Sequence, residues 1–247
     1  MFVNSQMKLV ENLLDLTTLD QKPTRNGYGD GLLELGKKNP NVVVLCADLI
    51  ESTRSEAFAK AYPERFVEMG VAEQNMASVA AGLAAVGKIP FISSYAMFSP
   101  GRNWEQIRTT ICYNERHVIV AGAHTGISVG PDGATHQAIE DIALVRVIPN
   151  MTVIVPVDAL EAKKATIVSA DLHGPVYLRF AREKTPVFTT NGTPFEVGKA
   201  EILWQSDGPS TGSSTEAHSK SSGLRKPDVA IIGCGPLLYN AILAAHE

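Results

Sequence analysis

The feature that most constrains the fold of this sequence is a set of short, mostly apolar runs rich in β-branched residues. They occupy residues 41–49, 89–96, 117–124, 151–157 and 175–181. Such runs are typical of strands that are buried on both faces, as in a parallel sheet. Segments between them have the apolar spacing of helices, clearest at residues 73–86, 102–114 and 159–169. This alternation predicts an α/β domain over roughly residues 24–190, with a parallel sheet covered on both faces by helices.

The composition agrees with a folded domain and argues against some partners. The 247 residues are 45% hydrophobic, which is enough to bury a sizeable core. The net charge of −4 comes from interspersed charges, so we expect neither nucleic acid nor an anionic membrane as the main partner. The amino terminus lacks the pattern of a signal peptide, and no apolar stretch approaches about 18 residues, so we expect a cytoplasmic location.

The three cysteines are far apart in the sequence and odd in number: Cys46, Cys112 and Cys234. Their spacing does not match that of metal ligands. We therefore expect buried free thiols rather than disulfides, and we predict no metal site in the chain.

The chain divides into three predicted regions. Residues 1–22 form an amino-terminal arm, residues 23–190 the α/β domain, and residues 191–247 part of a second α/β domain. Within the last region, residues 205–227 are rich in Ser, Gly and Thr and predict a flexible loop. A strand, a glycine turn and a helix are predicted to follow. Because one βα unit cannot close a core, we expect this second domain to be incomplete, or completed by something outside the sequence.

Two glycine-rich motifs suggest functions that their contexts do not support. The sequence GCG at residues 233–235 suggests dinucleotide binding, but Leu238 stands at the third glycine position and no acidic partner follows. The sequence YGDG at residues 28–31 contains the Gly-Asp-Gly that opens a metal-diphosphate motif, but it does not follow an apolar strand. We interpret it as the start of a helix.

Glu73 lies where a predicted strand gives way to a helix rich in small residues. Its apolar neighbours in the sequence are Met69, Val71, Met76 and Val79. A carboxyl group in apolar surroundings has a raised pKa, which allows it to donate a hydrogen bond at neutral pH. The alternative is an acidic residue in the first turn of a helix, stabilised by the helix dipole.

Aromatic and histidine side chains occur at the ends of two further predicted strands. Tyr95 and Phe98 follow the second apolar run, and aromatics there either stack on a flat heterocycle or pack in the core. His124 ends the third run, and Asp132 and His136 follow it on the loop GISVGPDGATHQ. Two histidines and a carboxylate exceed what a turn requires, so we interpret this cluster as functional.

Three further polar residues lie near predicted strand or helix ends, from which a loop can reach a phosphate group: Arg25, Ser52 and Arg182. Solvated surface side chains are the alternative interpretation.

Taken in order, these stretches resemble the transketolase family, most closely the carboxy-terminal half that some organisms make as a separate subunit. The matching blocks are PTRNGYGDGLLEL, CADLIEST, FVEMGVAEQNMASVAAGLA, PFISSYAMF, AHTGISVGPDGATHQAIEDIALVRVIPNMTVIVPVDALE and YLRFAREKTP, over residues 22–190. The resemblance implies a parallel-sheet α/β domain that binds the pyrimidine of thiamine diphosphate. An incomplete α/β carboxy-terminal domain would follow it.

The resemblance implies roles for the cofactor-facing residues. Glu73 matches the glutamate that hydrogen-bonds the aminopyrimidine ring, so that the amine of the cofactor can remove the thiazolium proton. Tyr95 and Phe98 match residues that pack on the pyrimidine. Asp48 matches an acidic residue that faces the cofactor across the subunit interface.

The resemblance also implies roles toward the sugar. His124 and His136 resemble the pair that binds the donor hydroxyls and exchanges protons with them. Asp132 resembles the residue that checks the stereochemistry of a sugar hydroxyl. The sugar-phosphate anchors of the family are matched by Arg25, Ser52 and Arg182.

Departures from the family pattern are also informative. Gly101 stands where full-length transketolases usually have a third aromatic residue, and Ala123 stands where many relatives have threonine. The part that binds diphosphate and Mg²⁺ or Ca²⁺ is not in this sequence. We therefore expect the chain to be inactive alone and to work with an amino-terminal partner subunit, in a homodimer or heterotetramer. The implied reaction transfers a two-carbon ketol unit from a ketose phosphate to an aldose phosphate.

Three alternatives stay open at this point. A 1-deoxyxylulose-5-phosphate synthase shares the AEQ segment and the DG-x-THQ loop but lacks the first histidine, His124. The β subunits of 2-oxo acid dehydrogenases share the architecture without the histidine-rich loop. An inactive cofactor-binding or scaffolding subunit is the third alternative.

Overall fold

The computed structural model describes residues 2–205 and 229–247 of the chain. The strands are β1 Phe2–Val3, β2 Gln21–Pro23, β3 Val42–Cys46, β4 Phe66–Glu68, β5 Ile89–Tyr95, β6 Ile119–Ala123, β7 Thr152–Ile154, β8 Val176–Arg179, β9 Lys184–Pro186 and β10 Trp204–Gln205. The helices are α1 Thr24–Lys38, α2 Glu56–Ala61, α3 Glu73–Ala85, α4 Trp104–Gln106, α5 Asp141–Arg146, α6 Ala159–Ser169 and α7 Leu238–His246. Helix α4 continues as a π-helical segment, Ile107–Cys112.

Six strands form the central sheet in the order β4-β3-β5-β6-β8-β7, and every neighbouring pair is parallel. In the centre of the sheet, Val42 lies opposite Ile89 and Cys46 lies opposite Ser93. The five apolar runs form β3, β5, β6, β7 and β8, and the strand before Glu73 forms the edge strand β4. The predicted parallel α/β fold is therefore confirmed.

The sheet is covered by a separate apolar core on each face. Val42 and Val44 of β3 pack into the core beneath α1, α2 and α6, where Leu32 is fully buried. Val43 and Leu45 point the other way, into the core beneath α3 and the π-helical segment. Because successive residues of a strand face opposite sides, burial on both faces requires an apolar residue at every position of β3.

The glycines of the GYGDG stretch allow close packing inside α1 rather than opening a metal-binding loop. A Cβ atom on Gly27 would lie 1.8 Å from the carbonyl oxygen of Ala159, and one on Gly31 would lie 2.7 Å from Cβ of Thr166. Both contacts are with α6. The predicted helix is confirmed, but it begins at Thr24, before the YGDG motif.

The two ends of the described chain pack against the α/β domain. Strand β1 pairs antiparallel with β10, and β2 pairs antiparallel with β9. A third apolar cluster joins Leu13 of the arm, Phe188, and Tyr239 of α7. The Tyr239 hydroxyl donates a hydrogen bond to the carbonyl oxygen of Leu13 at 3.0 Å. The arm and α7 are thus held together by a common core.

The region around residue 230 departs from the sequence prediction. Residues 229–235 form no strand, and Ile232 is 95% exposed. A strand needs a neighbouring strand that pairs with its backbone N–H and C=O groups. In the described chain, the Gly235 N–H donates a backbone hydrogen bond to the carbonyl oxygen of Val155, but no strand pairs with this segment. Cys234 lies in this segment and is exposed, contrary to prediction.

Two other predictions about this region and the thiols have mixed outcomes. Cys46 and Cys112 are buried free thiols, as predicted. Gln205, the first residue of the predicted loop 205–227, belongs to β10, and the rest of that loop lies outside the described residues. Among the described helices, none has the length and apolar character needed to cross a membrane.

Candidate active site

The candidate site lies at the carboxyl edge of the parallel sheet, where ligand crevices form in folds of this type. Tyr95 is the last residue of β5, and His124 follows β6 directly. The GISVGPDGATHQ loop then connects β6 to α5. The topology therefore brings the predicted aromatic and histidine residues to one edge of the molecule.

A pocket of 220 Å³ opens at this edge. Its lining is almost entirely polar and consists of Arg25, Glu51, Ser52, Arg54, Tyr95, His124, Asp132 and Arg182. All of these residues except Glu51 and Arg54 were predicted from the sequence as site residues. The structure thus brings together side chains from the start of α1, from the end of β5, from the loops after β3 and β6, and from the segment after β8.

His124 is the most constrained residue of the pocket. It is 1% exposed, has a left-handed backbone with φ of 56°, and stacks on Tyr95 with ring centroids 3.8 Å apart. Burial, together with the charges of Arg25, Arg182 and Arg54, lowers the pKa of its ring to about 3. The ring is therefore neutral at physiological pH.

The tautomer of His124 follows from its contact with Arg25. Nη1 of Arg25 lies 2.9 Å from Nε2 of His124. Because a guanidinium group only donates hydrogen bonds, Nε2 must accept, and the proton of the neutral ring is on Nδ1. Nδ1 is buried and has no hydrogen-bond partner among the described residues. Nε of Arg25 is likewise buried without a partner, so two residues that line the pocket each carry a buried donor that a ligand could satisfy.

Two of the three arginines of the pocket are held by backbone carbonyl groups. Nη1 of Arg25 donates to the carbonyl oxygen of Ser52 at 2.8 Å, and Nη1 of Arg182 donates to that of Val129 at 2.9 Å. Burial and the nearby charges of Arg54 and Arg182 lower the pKa of Arg25. These guanidinium groups repel one another, which makes the pocket a favourable place for an anion.

The glycines of the GISVGPDGATHQ loop shape the pocket. Gly126, Gly130 and Gly133 have φ values of 77°, 90° and 74°, which side chains other than glycine rarely adopt. A Cβ atom on Gly130 would also lie 1.7 Å from Nη1 of Arg182, whereas one on Gly133 would meet nothing within 4 Å. Gly130 is therefore required for the position of Arg182 as well as for the turn.

His136 lies beside the pocket rather than in its lining. Its ring makes edge contacts with Tyr95 and Phe98, with centroid distances of 6.0 and 5.3 Å. Nδ1 of His136 lies 2.8 Å from the hydroxyl of Thr135. Tyr95 thus contacts both histidines, because its ring also stacks on that of His124.

Glu73 is the first residue of α3 and is 1% exposed. The Ser94 hydroxyl lies 3.5 Å from Oε1, and Nη1 of Arg102 lies 3.2 Å from Oε2. The guanidinium of Arg102 also lies over the Phe98 ring, 5.3 Å from its centroid. The prediction that apolar residues surround Glu73 is therefore wrong for the carboxylate itself. Arg102 forms an ion pair with it, and the side chain of Val71 is exposed to solvent.

Asp48 lies at the carboxyl end of β3 but outside the pocket lining. It is exposed and has a left-handed backbone with φ of 55°. Its N–H donates to Oε1 of Glu68 at 2.7 Å, which fixes the turn after the strand. The cofactor-facing role of Asp48 stays a prediction.

The departure at position 101 has a structural reason. A Cβ atom on Gly101 would lie 1.9 Å from the carbonyl oxygen of Met97, so no side chain fits there. The next residue, Arg102, covers the Phe98 ring instead. Among the residues that the structure describes, no group of three or more His, Cys, Asp or Glu side chains could hold a metal ion.

Sequence reasoning missed Arg54 and Arg102. Arg54 stands two residues after Ser52, and Arg102 stands four residues after Phe98, so each was adjacent to a predicted site residue. Their positions in the loops after β3 and β5 could have indicated them, because polar residues of loops at the carboxyl ends of parallel strands face the ligand crevice.

The fold and the pocket define a parallel α/β domain with a polar pocket at the carboxyl edge of its sheet. Residues 20–187 match the family model of the transketolase pyrimidine-binding domain. The chain therefore belongs to this family, and the resemblance stated from its sequence is confirmed.

Individual relatives agree with this assignment. A Methanocaldococcus jannaschii protein named as a transketolase C-terminal section is 51% identical over 184 residues, 74% of this chain and 58% of that protein. The 6-deoxy-6-sulfo-D-fructose transketolase subunit of Clostridium sp. strain MSTE9 is 34% identical over 229 residues, 93% of this chain and 65% of that protein.

A solved structure gives the same result. It is described as a split-gene transketolase in the form of an inactive β4 tetramer, and it has 49% sequence identity and a TM-score of 0.65. The similarity covers 72% of this chain and 56% of that chain. The chain thus spans less than two thirds of the length of each of these three relatives.

Proposed function

We propose that the chain is the carboxy-terminal subunit of a two-subunit transketolase. The enzyme would move a two-carbon ketol unit from a ketose phosphate to an aldose phosphate. The observation that carries the proposal is that an arginine-lined pocket and the buried carboxylate of Glu73 share one sheet edge, joined by Tyr95 and Phe98. This arrangement matches the two ligands of the reaction, an anionic sugar and a flat heterocycle.

The proposed cofactor is thiamine diphosphate, with Mg²⁺ or Ca²⁺ held by the amino-terminal partner. The residues present fit its aminopyrimidine, because Glu73 offers a buried carboxyl group and Phe98 a partly exposed ring beside it. When bound, the cofactor supplies the nucleophilic carbon that carries the two-carbon unit. Glu73 would hold the ring nitrogen by a hydrogen bond and so select the tautomer, and Tyr95 and Phe98 would keep water from the ring.

The residues of the pocket would bind the sugar phosphate. We assign Arg25, Ser52 and Arg182 to the phosphate group, whose binding energy orients the reacting carbon. Neutral His124 would donate Nδ1–H to a sugar oxygen, which supplies the partner that this buried donor lacks. Two further contacts with sugar hydroxyls complete the assignment: Asp132 as a stereochemical check and His136 as the group that exchanges a proton.

The need for a partner subunit is part of the proposal. It is supported by the similarity to a chain described as a split-gene transketolase in an inactive β4 tetramer, and to a protein named as a transketolase C-terminal section. The same description favours, as a second candidate, a chain that assembles with itself and has no activity of its own. Homodimers and heterotetramers with an amino-terminal subunit are both compatible with the proposal.

The proposed mechanism is tested by substituting Glu73 in the assembled enzyme. The chain is co-expressed with a cognate amino-terminal subunit, and ketol transfer is measured for the wild type, Glu73→Ala and Glu73→Gln. We expect both variants to lose at least about 100-fold in kcat, because the general base of the reaction depends on this carboxyl group. Glu11→Gln, which removes an exposed carboxylate, should leave the rate unchanged. Undiminished transfer by Glu73→Ala would refute the assigned role.

A further inference from the structure

The pocket contains one arginine more than the two that are assigned to the phosphate group. Arg54 lines it together with Arg25 and Arg182. Neither Arg25 nor Arg54 forms an ion pair with any described residue. Arg182 forms a long ion pair at the surface, in which its Nη1 lies 3.6 Å from Oε1 of the exposed Glu183. Three guanidinium groups placed together in this way repel one another unless an anion lies between them.

The carboxylates of the pocket do not neutralise this cluster. Glu51 and Asp132 also line the pocket, but both are exposed, and neither lies within 4.0 Å of an arginine nitrogen in the described chain. His124 adds no charge, because burial and the arginines lower its pKa to about 3. The half-buried guanidinium groups therefore dominate the potential inside the pocket.

Arg54 is fixed in place by helix α1. Its backbone is left-handed, with φ of 66°, which is unfavourable for a residue other than glycine. Its Nε donates to Oδ1 of Asn26 at 3.0 Å. A Cβ atom on Gly29 would lie 2.7 Å from the carbonyl oxygen of Arg54 and 2.8 Å from its Cβ. An unfavourable conformation that its surroundings impose is typical of functional residues.

A third cation matters most for a ligand with two negative charges. A phosphate ester carries nearly two charges at neutral pH, because its second pKa is near 6, whereas a sulfonate of similar shape carries one. One relative of this chain is named for a 6-deoxy-6-sulfo sugar, and this chain is 34% identical to it. Members of this family could therefore differ in whether their pockets prefer a singly or a doubly charged anion.

We propose that Arg54 is a specificity-determining residue that makes the pocket prefer a phosphate ester to a sulfonate. This inference rests on the proposed function, since it assumes that the pocket holds the anionic end of the sugar. Arg25 and Arg182 bind either anion, and Arg54 supplies the additional attraction that a doubly charged group gains. Asn26 and Gly29 act through Arg54 as positioning residues.

The test measures the binding of methyl phosphate and methanesulfonate to the full chain at pH 7.5 by NMR titration. We expect the wild type to bind methyl phosphate at least about tenfold more tightly, as one further charged hydrogen bond provides. Arg54→Gln should lose most of that preference by weakening methyl phosphate about tenfold while changing methanesulfonate less than threefold. Arg54→Lys should keep most of it. Arg146→Gln removes an exposed arginine and the same charge, and should bind like the wild type.

The outcomes separate this inference from the proposed function. If Arg54→Gln weakens both anions equally, or keeps the preference for methyl phosphate while Arg25→Gln loses binding, Arg54 does not determine specificity and the phosphate anchor stands. If the folded wild type binds neither anion, the proposed anchor itself is contradicted. A circular dichroism spectrum of each variant confirms that binding is compared between folded proteins.

Discussion

Gly130→Ala offers a sharp test of how the GISVGPDGATHQ loop serves the pocket. The new Cβ atom would lie 1.7 Å from Nη1 and 2.9 Å from Cζ of Arg182, so the guanidinium must move. That movement breaks the 2.9 Å hydrogen bond from Arg182 to the carbonyl oxygen of Val129, and a hydrogen bond to a charged group contributes about 1.5–3 kcal/mol. The backbone adds strain of about 1–2 kcal/mol, because alanine is unfavourable at a φ of 90°.

Gly133→Ala is the matched control. Gly133 has φ and ψ of 74° and −164°, a region that is essentially restricted to glycine, so its variant also carries backbone strain, but its Cβ atom would meet nothing within 4 Å. We expect urea unfolding to show a loss of stability in both variants, of about 1–3 kcal/mol in Gly133→Ala. Affinity for methyl phosphate, measured by NMR titration, should fall about tenfold in Gly130→Ala and little in Gly133→Ala.

A double-mutant cycle identifies the cause. In an Arg182→Ala background, the substitution Gly130→Ala has no guanidinium to displace, so its effect on methyl phosphate affinity should nearly disappear. Equal losses of affinity in Gly130→Ala and Gly133→Ala, or an effect of Gly130→Ala that persists without Arg182, would show that Gly130 does not act through Arg182. The loop would then act on the ligand by its backbone conformation alone.

Two further predictions concern stability. His124 has a folded-state pKa of about 3, below the unfolded value of 6.5, so its contribution is present above pH 6.5 and is lost as the pH falls toward 3. Between pH 7.5 and pH 5, urea unfolding should show about 2 kcal/mol more destabilisation in the wild type than in His124→Gln; identical pH dependence would contradict the buried neutral ring. Gly27→Ala should destabilise the protein by at least about 2 kcal/mol, because its Cβ atom would lie 1.8 Å from the carbonyl oxygen of Ala159. Gly82→Ala should instead stabilise it by about 0.5–1 kcal/mol, because Gly82 lies in α3 with nothing within 4 Å of its Cβ position. Similar effects of the two glycine substitutions in thermal or urea unfolding would argue against the close packing of α1 on α6.

The sequence predicted the sheet because burial on both faces leaves a direct signal. Every residue of β3 is apolar and buried, so no polar face obscures the run. The same local pattern failed at residues 229–235, where the apolar residues form no strand. Strand formation depends on a neighbour that accepts and donates backbone hydrogen bonds, and local sequence does not report whether that neighbour is present.

Site residues could be predicted where a polar or charged side chain follows the end of a predicted strand. His124, Asp132 and Arg182 could be selected in this way, and the structure places all three in one pocket. The contacts between distant residues could not be predicted, as with Nη1 of Arg25 and Nε2 of His124, since they depend on how the elements pack. Arg102 illustrates the same limit, because an exposed loop arginine gives no sign in sequence that it pairs with a buried carboxylate.

We propose that this chain carries half of a ketol-transfer site and requires an amino-terminal subunit for the rest. The most direct measurement is ketol transfer from a ketose phosphate to an aldose phosphate, with thiamine diphosphate and Mg²⁺ present. It compares the chain alone, the cognate amino-terminal subunit alone and the two combined. We expect transfer only from the combination. Transfer by this chain alone, or no transfer with an intact cognate partner, would contradict this proposal.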